Sequence, residues 1–375
     1  MAAIISHAHR AHREQLIEQL VGNIVIRSNA EDKVLAAIRE CNELAIGDLF
    51  VDEKWNGPVK AFTTARVHAR LYGRPISVEP YEQTVEAVKA MTELHYDERI
   101  IDSMIGKSRF YSCAYFKDAL ELDPAQWAKA VLLKNKIVSV VGRRKHMRIL
   151  EIGGGNGTLA IYLANELEAD VIMVTNSARH TAVTRERIAQ GEVHRGSVTV
   201  YLRDVRRFPE DLEKFDAIVS VGMMEHVGLA QLRLFMETVR RFLKQDGVAL
   251  LHFIYARLYG GTNPWLNARI FPGGELLLRS QVMGAIKGLF EPLDWHTFQN
   301  RDYERTSDAW DANLMTGRET ENGVLMPDGN MYPMRLWRTM HYFVAYVSAL
   351  FATGTISLAQ LLLSPSPISN YQPIR

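Results

Sequence analysis

The chain has 375 residues, of which 47% are hydrophobic, so it can bury a sizeable core, which argues against intrinsic disorder. Lys and Arg number 44 against 43 Asp and Glu, a formal net charge of +1, so no overall field attracts nucleic acid and no nucleic-acid partner is predicted. The two cysteines, Cys41 and Cys113, exclude a disulfide scaffold and a Cys-rich zinc module; no metal site is predicted, and the predicted location is the cytoplasm.

The N-terminal region has helical patterns. The first 20 residues lack the long apolar stretch of a secretory signal and are typical of an amphipathic helix. Two more helical patterns follow, EDKVLAAIREC and VKAFTTARVHARLYG. We predict a mainly helical domain over residues 1–90 and a main domain over residues 91–375.

The first long helix of the main domain is predicted in LDPAQWAKAVLLKNKIVSVVG. Asp123 is the predicted N-cap and Pro124 the first helical residue, with Trp127, Val131 and Val138 along one side. The basic run 143–148 follows this helix. It would suit either anionic head groups of a membrane or a solvated helix end, where cations complement the helix dipole.

From Arg148 the pattern changes to short apolar runs that alternate with helices. Such alternation predicts a parallel sheet with right-handed crossovers, and the absence of polar alternation within the runs indicates strands covered on both faces. The predicted fold is therefore a doubly wound, Rossmann-like α/β domain. The five runs are MRILEIG, ADVIMVT, SVTVYLRD, FDAIVSVGM and GVALLHFI.

The pattern is less regular after about residue 256, and a lid is predicted over residues 256–340. Its aromatic residues are predicted in irregular or helical segments: Trp265, Phe271, Trp295 and Trp310. A polar, turn-rich stretch from Gly317 to Pro333 is interpreted as an inserted loop near this lid.

The uncharged run from Tyr342 to Leu363 is long enough to span a bilayer. Gly354 interrupts it among polar residues, which favours a helix that ends at this glycine and a following strand, ISLAQLLLS. A buried helix and strand are predicted, with a membrane span as the alternative.

The first predicted strand ends in a glycine-rich turn. Gly153, Gly155 and Gly157 have G-x-G-x-G spacing and precede a helix, so backbone N–H groups can face a ligand. The second strand ends at Thr175 and Asn176 without the acidic residue of dinucleotide folds. A structural turn without a ligand remains the alternative.

Together with an acidic residue, Asp204, after the third strand, this pattern resembles class I S-adenosylmethionine-dependent methyltransferases. In that superfamily the acid near the third strand commonly faces the adenine. A helix cap or a surface carboxylate is the alternative for Asp204.

Five separated motifs narrow the resemblance. In this order along the chain, they resemble motifs of the cyclopropane-fatty-acid synthases and their methyltransferase relatives, and the likeness runs from about residue 35 almost to the C-terminus. The motifs are YSCAYF at 111–116, VGMMEHVG at 221–228, LLHFI at 250–254, NPWLNARIFPGG at 263–274 and LDWHTFQNRDY at 293–303.

The resemblance implies a reaction and a site. In that family an alkene of an unsaturated acyl chain attacks the sulfonium methyl, and a bound bicarbonate removes a proton so that the ring closes. The residues that would hold the bicarbonate here are Cys113, Glu225, His252, Ile254 and Tyr303. The residues that would bind S-adenosylmethionine are Tyr111, Ser112, Gly153, Gly155, Thr175, Asn176 and Asp204. Taken singly, His252 also fits a core histidine and Cys113 a small buried hydrophobe.

The chain departs from the family pattern in two places that face the acyl pocket in the family. The phrase H-Y-D-L-G-N is replaced at residues 95–100, and L-P-S is replaced by Glu275 to Leu278. Near the cofactor, Gly154, Asn156 and His180 also replace the residues usual in bacterial synthases.

The leading hypothesis is a one-carbon transferase that cyclopropanates unsaturated phospholipid acyl chains at a membrane surface, where it is peripheral and transient. The alternatives are a C- or N-methyltransferase acting on a lipid-like or small metabolite, and a silent cofactor-binding paralogue. The N-terminal helices form dimers in similar bacterial enzymes, so the resemblance also implies a homodimer.

Overall fold

The computed structural model describes residues 43–52, 66, 69, 99–209, 212–257 and 263–375. The predicted domain boundary at residue 90 and most of the predicted N-terminal helical domain lie outside these residues. Of that domain, the helix at 43–51 is described.

Ten helices and eleven strands lie in the described part of the chain. The helices are α1 Glu43–Val51, α2 Ile100–Met104, α3 Leu122–Val141, α4 Thr158–Leu167, α5 Ala178–Ala189, α6 Gly228–Phe242, α7 Pro264–Arg269, α8 Arg279–Ile286, α9 Asn300–Leu314 and α10 Met334–Ala352. The strands are β1 Arg148–Ile152, β2 Asp170–Thr175, β3 Ser197–Leu202, β4 Phe215–Val221, β5 Leu243–Ala256, β6 Leu277–Leu278, β7 Glu291–Thr297, β8 Arg318–Thr320, β9 Gly323–Leu325, β10 Met331–Tyr332 and β11 Ile356–Ser364.

The main sheet has the order β3-β2-β1-β4-β5-β11-β7, with β6 paired to β5. Strands β1 to β5 are parallel, which confirms the predicted doubly wound α/β fold. β11 is antiparallel to both β5 and β7. Because β11 is covered on both faces, all nine of its residues are buried. The prediction that all five runs are covered on both faces is wrong for β3, which is the edge strand and is largely exposed.

The C-terminal prediction of a helix followed by a strand is confirmed. α10 ends at Ala352, Gly354 adopts a left-handed φ of +68°, and β11 follows. No helix in the described ranges is long and apolar enough to cross a membrane.

The predicted start of α3 is wrong. The helix begins at Leu122 with Glu121 at the N-cap, so Pro124 is its third residue. The Asp123 carboxylate instead accepts the backbone N–H of Ser108 at 2.8 Å. The predicted side of the helix is its solvent side, since Trp127 is 42% exposed.

Two predictions for the region after residue 256 are corrected by the structure. Trp295 lies on β7 of the main sheet, because this segment pairs with β11. The stretch from Gly317 to Pro333 is a small antiparallel sheet, β10-β9-β8, and not an irregular loop.

Three cations of the basic run after α3 pair with neighbouring carboxylates. Arg144 pairs with Asp216 at 2.7 Å and Lys145 with Glu168 at 3.0 Å. Arg148 pairs with Glu213. These pairs favour the solvated helix end over a patch for anionic head groups.

Candidate functional site

The glycine-rich turn joins β1 to α4 at the carboxyl edge of the sheet. Gly153, Gly155 and Gly157 have φ angles of +81°, +52° and +76°, which L side chains rarely adopt. A Cβ atom on Gly153 would lie 2.9 Å from Cγ of Met223. The sequence therefore needs glycine here for both backbone conformation and space.

A cavity of about 170 Å³ lies against this turn; we call it the cofactor cavity. The seven residues predicted to bind S-adenosylmethionine all line it: Tyr111, Ser112, Gly153, Gly155, Thr175, Asn176 and Asp204. The replaced residues Gly154, Asn156 and His180 line it as well.

The Asp204 carboxylate is ionised and held in place at this cavity. It accepts hydrogen bonds from the backbone and side chain of Arg206 at 2.8–2.9 Å, and from Nδ2 of Asn176 at 3.4 Å. Burial alone would raise the pKa of Asp204, but these bonds outweigh burial and lower it. Asp204 also caps the 3₁₀ turn at 205–207, which is the alternative interpretation of this residue from the sequence.

Two buried charged residues of the cofactor cavity were not predicted from the sequence, Lys129 of α3 and Glu151 of β1. Burial lowers the pKa of Lys129 to about 7 and raises the pKa of Glu151 to about 8. Oε2 of Glu151 is buried without a hydrogen-bond partner in the described structure. A lysine and a glutamine on the apolar side of a helix, Lys129 and Gln126, were the available signal in the sequence.

Lys129 and Gln126 fix the loop that carries Ser112. Nζ of Lys129 donates to Oγ of Ser112 at 2.6 Å and to Oε1 of Gln126 at 2.5 Å. Nε2 of Gln126 donates to the Ser112 carbonyl at 2.8 Å. The ammonium also lies 4.0 Å from the ring centroid of Phe110, a cation–π contact. α3 thus sets the position of one wall of the cofactor cavity.

A second cavity of about 100 Å³ adjoins the first; we call it the catalytic cavity. All five residues predicted to hold the bicarbonate line it: Cys113, Glu225, His252, Ile254 and Tyr303. The two cavities share Tyr111, Ser112, Gly222 and His226 in their walls. A group held in the cofactor cavity can therefore lie next to one held in the catalytic cavity.

Glu225 lies in a 3₁₀ turn after β4, and its carboxyl group points back to β5. Oε1 accepts the backbone N–H of Ile254 at 2.7 Å. Oε2 is buried and has no partner among the described residues. Burial raises the pKa of Glu225 to about 7, so much of this group is protonated near neutral pH.

His252 of β5 is 1% exposed, and its imidazole is neutral. Burial and the positive charges of Lys129 and Lys136 hold the pKa of His252 well below its usual value. Nδ1 lies 3.2 Å from Nε2 of Gln360 on β11. Nε2 has no hydrogen-bond partner within the described ranges.

Cys113 and Tyr303 complete the set from two other elements. Burial raises the pKa of the Cys113 thiol well above its usual value, and its Sγ lies 3.2 Å from the Ala114 carbonyl. The thiol is therefore a neutral wall group and not a thiolate nucleophile. Tyr303 of α9 stacks on Phe351 with ring centroids 4.3 Å apart.

The remaining wall of the catalytic cavity is largely apolar and comes from α7, α10, β11 and the segment before β6. Members of this wall are Leu266, Phe271, Leu276, Phe343, Val347 and Leu358. Glu275, in the segment that replaces L-P-S, also lines this cavity. The other replaced segment, 95–100, lies mostly outside the described residues; Ile101, which follows it, lines the cofactor cavity.

Comparison with known proteins shows the family of the chain. A family model described as "Mycolic acid cyclopropane synthetase" matches residues 82–361. The cyclopropane-fatty-acyl-phospholipid synthase of Escherichia coli K12 is 34% identical over 275 residues, which cover 72% of this chain and 66% of the synthase.

Solved structures share the fold. The cyclopropane synthase MmaA2 of Mycobacterium tuberculosis has a TM-score of 0.64 at 24% identity, covering 73% of this chain and 97% of that one. Coclaurine N-methyltransferase bound to N-methylheliamine and SAH has a TM-score of 0.65 at 18% identity, covering 85% of this chain and 99% of that one.

Proposed function

Because the chain belongs to the mycolic acid cyclopropane synthetase family of S-adenosylmethionine-dependent one-carbon transferases, we propose that it cyclopropanates the double bonds of unsaturated phospholipid acyl chains. We further propose that a bicarbonate ion held in the catalytic cavity is the base. The observation that carries this proposal is the convergence of Glu225, His252 and Ile254 on one buried cavity that adjoins the cofactor cavity.

The cofactor cavity suits S-adenosylmethionine, which supplies an electrophilic methyl group on a sulfonium when it is bound. The glycine turn lets a ligand approach the backbone beside the cavity. An ammonium group beside Glu151 would lower the raised pKa of that carboxyl, and its unpartnered Oε2 would then accept a hydrogen bond from the ammonium. At the other end, the ionised Asp204 is an acceptor for a hydroxyl or amino group.

The catalytic cavity suits a small oxygen anion. Transfer of the methyl carbon and closure of the ring add CH₂ to the alkene and release one proton, so a base must lie beside the reacting carbon. A protonated Glu225 donates through Oε2, whereas an ionised Glu225 would repel an anion. A proton on Nε2 would make His252 a second donor.

The apolar and aromatic walls suit an acyl chain with a transient positive charge. The rings of Tyr303, Trp310 and Phe343 line the catalytic cavity, and aromatic faces attract a desolvated cation. The same walls exclude water, which would otherwise capture the cation.

The deciding experiment incubates the purified protein with S-adenosylmethionine, bicarbonate and vesicles of unsaturated phospholipid, followed by proton NMR of the acyl chains. Cyclopropane ring signals are expected; mass alone does not suffice, because ring closure and methyl branching add the same CH₂. The absence of a lipid product, with cofactor binding intact, would contradict the proposal.

Two variants test whether the catalytic cavity takes part in the reaction. His252→Ala and Glu225→Ala should bind S-adenosylmethionine as the wild type does and lose at least about tenfold in turnover, since each removes a preorganised group at the reacting centre. Removal of bicarbonate from the buffer should lower turnover, and its return should restore it. His194→Ala, at an exposed position, is the matched control. Wild-type turnover in both cavity variants would contradict the bicarbonate site.

One observation favours a second candidate, a C- or N-methyltransferase acting on a lipid-like or small metabolite. The carboxylate residue Glu275 lines the catalytic cavity in the segment that replaces L-P-S, and a carboxylate suits a cationic amine. The Glu275 carboxylate accepts the backbone N–H of Leu229 at 2.7 Å, which fixes its position. Methylation of amines from a substrate panel, without any lipid product, would support this alternative.

A phospholipid substrate places the protein at a membrane surface, and we propose a cytoplasmic enzyme with transient peripheral contact, acting as a homodimer. The basic run at 143–148 is not the proposed contact, because three of its cations, Arg144, Lys145 and Arg148, already pair with carboxylates. Sedimentation with phospholipid vesicles and the molar mass in solution test the two parts of this proposal separately.

A further inference from the structure

A row of three polar residues crosses the sheet behind the catalytic cavity. In the register of the sheet, Gln360 of β11 lies opposite His252 of β5 and also opposite His296 of β7. Directly opposed residues in antiparallel strands place their side chains on the same face. Of the three residues in this row, His252 lines the catalytic cavity.

The amide of Gln360 is buried at a free-energy cost. Gln360 is 0% exposed, and its neighbours along β11, Ala359 and Leu361, are apolar and buried. A buried amide is tolerated where it forms hydrogen bonds. Nε2 of Gln360 lies 3.2 Å from Nδ1 of His252, while Oε1 has no partner in the described structure. The contact with His252 is therefore what accounts for an amide at this position.

His296, on the other side of Gln360, is engaged elsewhere. Its Nδ1 lies 3.2 Å from Nζ of Lys136, which also donates to Asp294 at 3.2 Å. Asp294 in turn accepts two bonds from Arg375, at 2.5 Å and 2.8 Å. This buried cluster holds His296 toward α3 and leaves the Gln360 amide directed at His252.

The contact selects one form of the imidazole. An amide nitrogen only donates, so the Nδ1 that it approaches must carry a lone pair. The imidazole is neutral, because burial and the charges of Lys129 and Lys136 oppose a second proton. A neutral imidazole with a lone pair on Nδ1 carries its proton on Nε2.

We propose that Gln360 is a positioning residue that holds His252 as the Nε2–H tautomer, so that His252 offers the catalytic cavity a hydrogen-bond donor and not a lone pair. The tautomer itself follows from the contact between Gln360 and His252 and does not depend on the proposed function. Its catalytic consequence rests on the proposed function, because a donor at this place suits an oxygen anion.

The experiment reads the tautomer directly. Protein with ¹⁵N-labelled histidine rings is examined by NMR, and the signals of His252, one of 12 histidines, are assigned by their loss in His252→Ala. The wild type is expected to carry the proton on Nε2. Wild type and Gln360→Glu are compared at pH 9, where the buried carboxyl of the variant is ionised; a carboxylate only accepts, so the proton is then expected on Nδ1. Leu362→Met, two residues along the same buried strand, is the control that leaves the tautomer unchanged.

Turnover then tests the consequence. Gln360→Glu and Gln360→Leu should lower turnover by roughly 10- to 100-fold, the range for partners that orient a functional histidine, without a change in affinity for S-adenosylmethionine. A wild-type proton on Nδ1 would overturn the inference, as would full turnover in Gln360→Glu with the tautomer switched. Full turnover in His252→Ala would instead overturn the use of His252 in the proposed function and leave the tautomer result standing.

Discussion

Glu225 shows how burial changes what a side chain does. A carboxyl group in water is ionised at neutral pH, but with one oxygen bonded to the Ile254 amide and the other buried without a partner, this one has a pKa of about 7. It is therefore able to donate a hydrogen bond in a cavity that has no ammonium or guanidinium group among its described lining residues. No sequence motif encodes this raised pKa, because it depends on the parts of the fold that cover the Glu225 carboxyl group.

The pKa of Glu225 predicts a pH-dependent stability. Burial raises it from the usual 4.5 to about 7, so the native state holds this proton more tightly than the unfolded state does. Its contribution to the free energy of unfolding is complete below pH 4.5 and is lost as the pH rises through 7. The variant Glu225→Gln keeps the shape of the side chain and removes its titratable proton.

Denaturant unfolding of both proteins at pH 5 and pH 8 measures this effect. The variant should gain stability relative to the wild type at pH 8, by about 3 kcal/mol at most for a shift of this size. A difference between the two proteins that is the same at both pH values would show that Glu225 ionises freely in the native state.

At the scale of elements, the turn after β1 combines backbone conformation with space. Gly153→Ala introduces a Cβ at φ +81° and 2.9 Å from Met223, in the wall of the cofactor cavity. We expect affinity for S-adenosylmethionine to fall at least about tenfold, since a shifted turn no longer presents its backbone to the ligand.

Gly191→Ala is the matched control for the turn. Gly191 has φ +82° and nothing within 4 Å of a built Cβ, so it carries the same backbone strain without closing a cavity. Both variants should lose about 1 kcal/mol for a left-handed residue, and Gly153→Ala should lose more because its Cβ also meets Met223, while only Gly153→Ala loses cofactor affinity. Equal affinities, measured by calorimetry, would contradict the role of the turn.

Helix α3 acts on the site through a buried cation. Lys129→Met removes the bonds to Ser112 and Gln126 that hold the wall between the two cavities. Since an ammonium with a pKa lowered to about 7 is costly to bury, the apolar variant should fold with similar or higher stability and bind S-adenosylmethionine more weakly.

Lys134→Met on the same helix separates this effect from a general loss of charge. Lys134 pairs with Glu166 at 2.7 Å near the surface and contacts neither cavity. The affinity of Lys134→Met for S-adenosylmethionine should equal that of the wild type. An unchanged affinity in Lys129→Met, measured by titration calorimetry, would show that the loop keeps its place without the lysine.

At the scale of the whole molecule, the N-terminal region contacts the wall of the catalytic cavity. Asp48 of α1 accepts a bond from Nε1 of Trp265 at 3.2 Å and a pair of bonds from Arg269, both on α7. The same short helix carries Leu266, which lines the catalytic cavity. A change in α1 can therefore reach the catalytic cavity without touching the cofactor cavity.

Gly47→Ala tests this connection. A Cβ on Gly47 would lie 2.1 Å from Cδ1 of Trp265, so the two helices must separate. We expect a raised KM or lowered turnover on lipid vesicles with unchanged affinity for S-adenosylmethionine. Gly284→Ala, in helix α8 with nothing within 4 Å, is the control that leaves both unchanged. Normal lipid kinetics in Gly47→Ala would indicate that α1 does not position α7.

The sequence by itself determined the parallel sheet, the glycine turn and, through the family resemblance, twelve of the residues that line the two cavities. Strands buried on both faces consist of continuous apolar runs, and backbone positions with positive φ angles favour glycine. Both are local patterns, so they are visible in the amino-acid sequence. The resemblance of five motifs supplied Cys113, Glu225, His252, Ile254 and Tyr303, and all of them meet in one cavity.

The tertiary structure alone decided features that depend on distant segments. Trp295 lies on a strand because β11, more than 60 residues later, pairs with it. Lys129 and Glu151 have shifted pKa values because other elements exclude water from them. The contact of Gln360 with His252 exists because two antiparallel strands place residues 108 positions apart opposite each other. Pairing, burial and desolvation are properties of the folded chain, so no local pattern of residues records them.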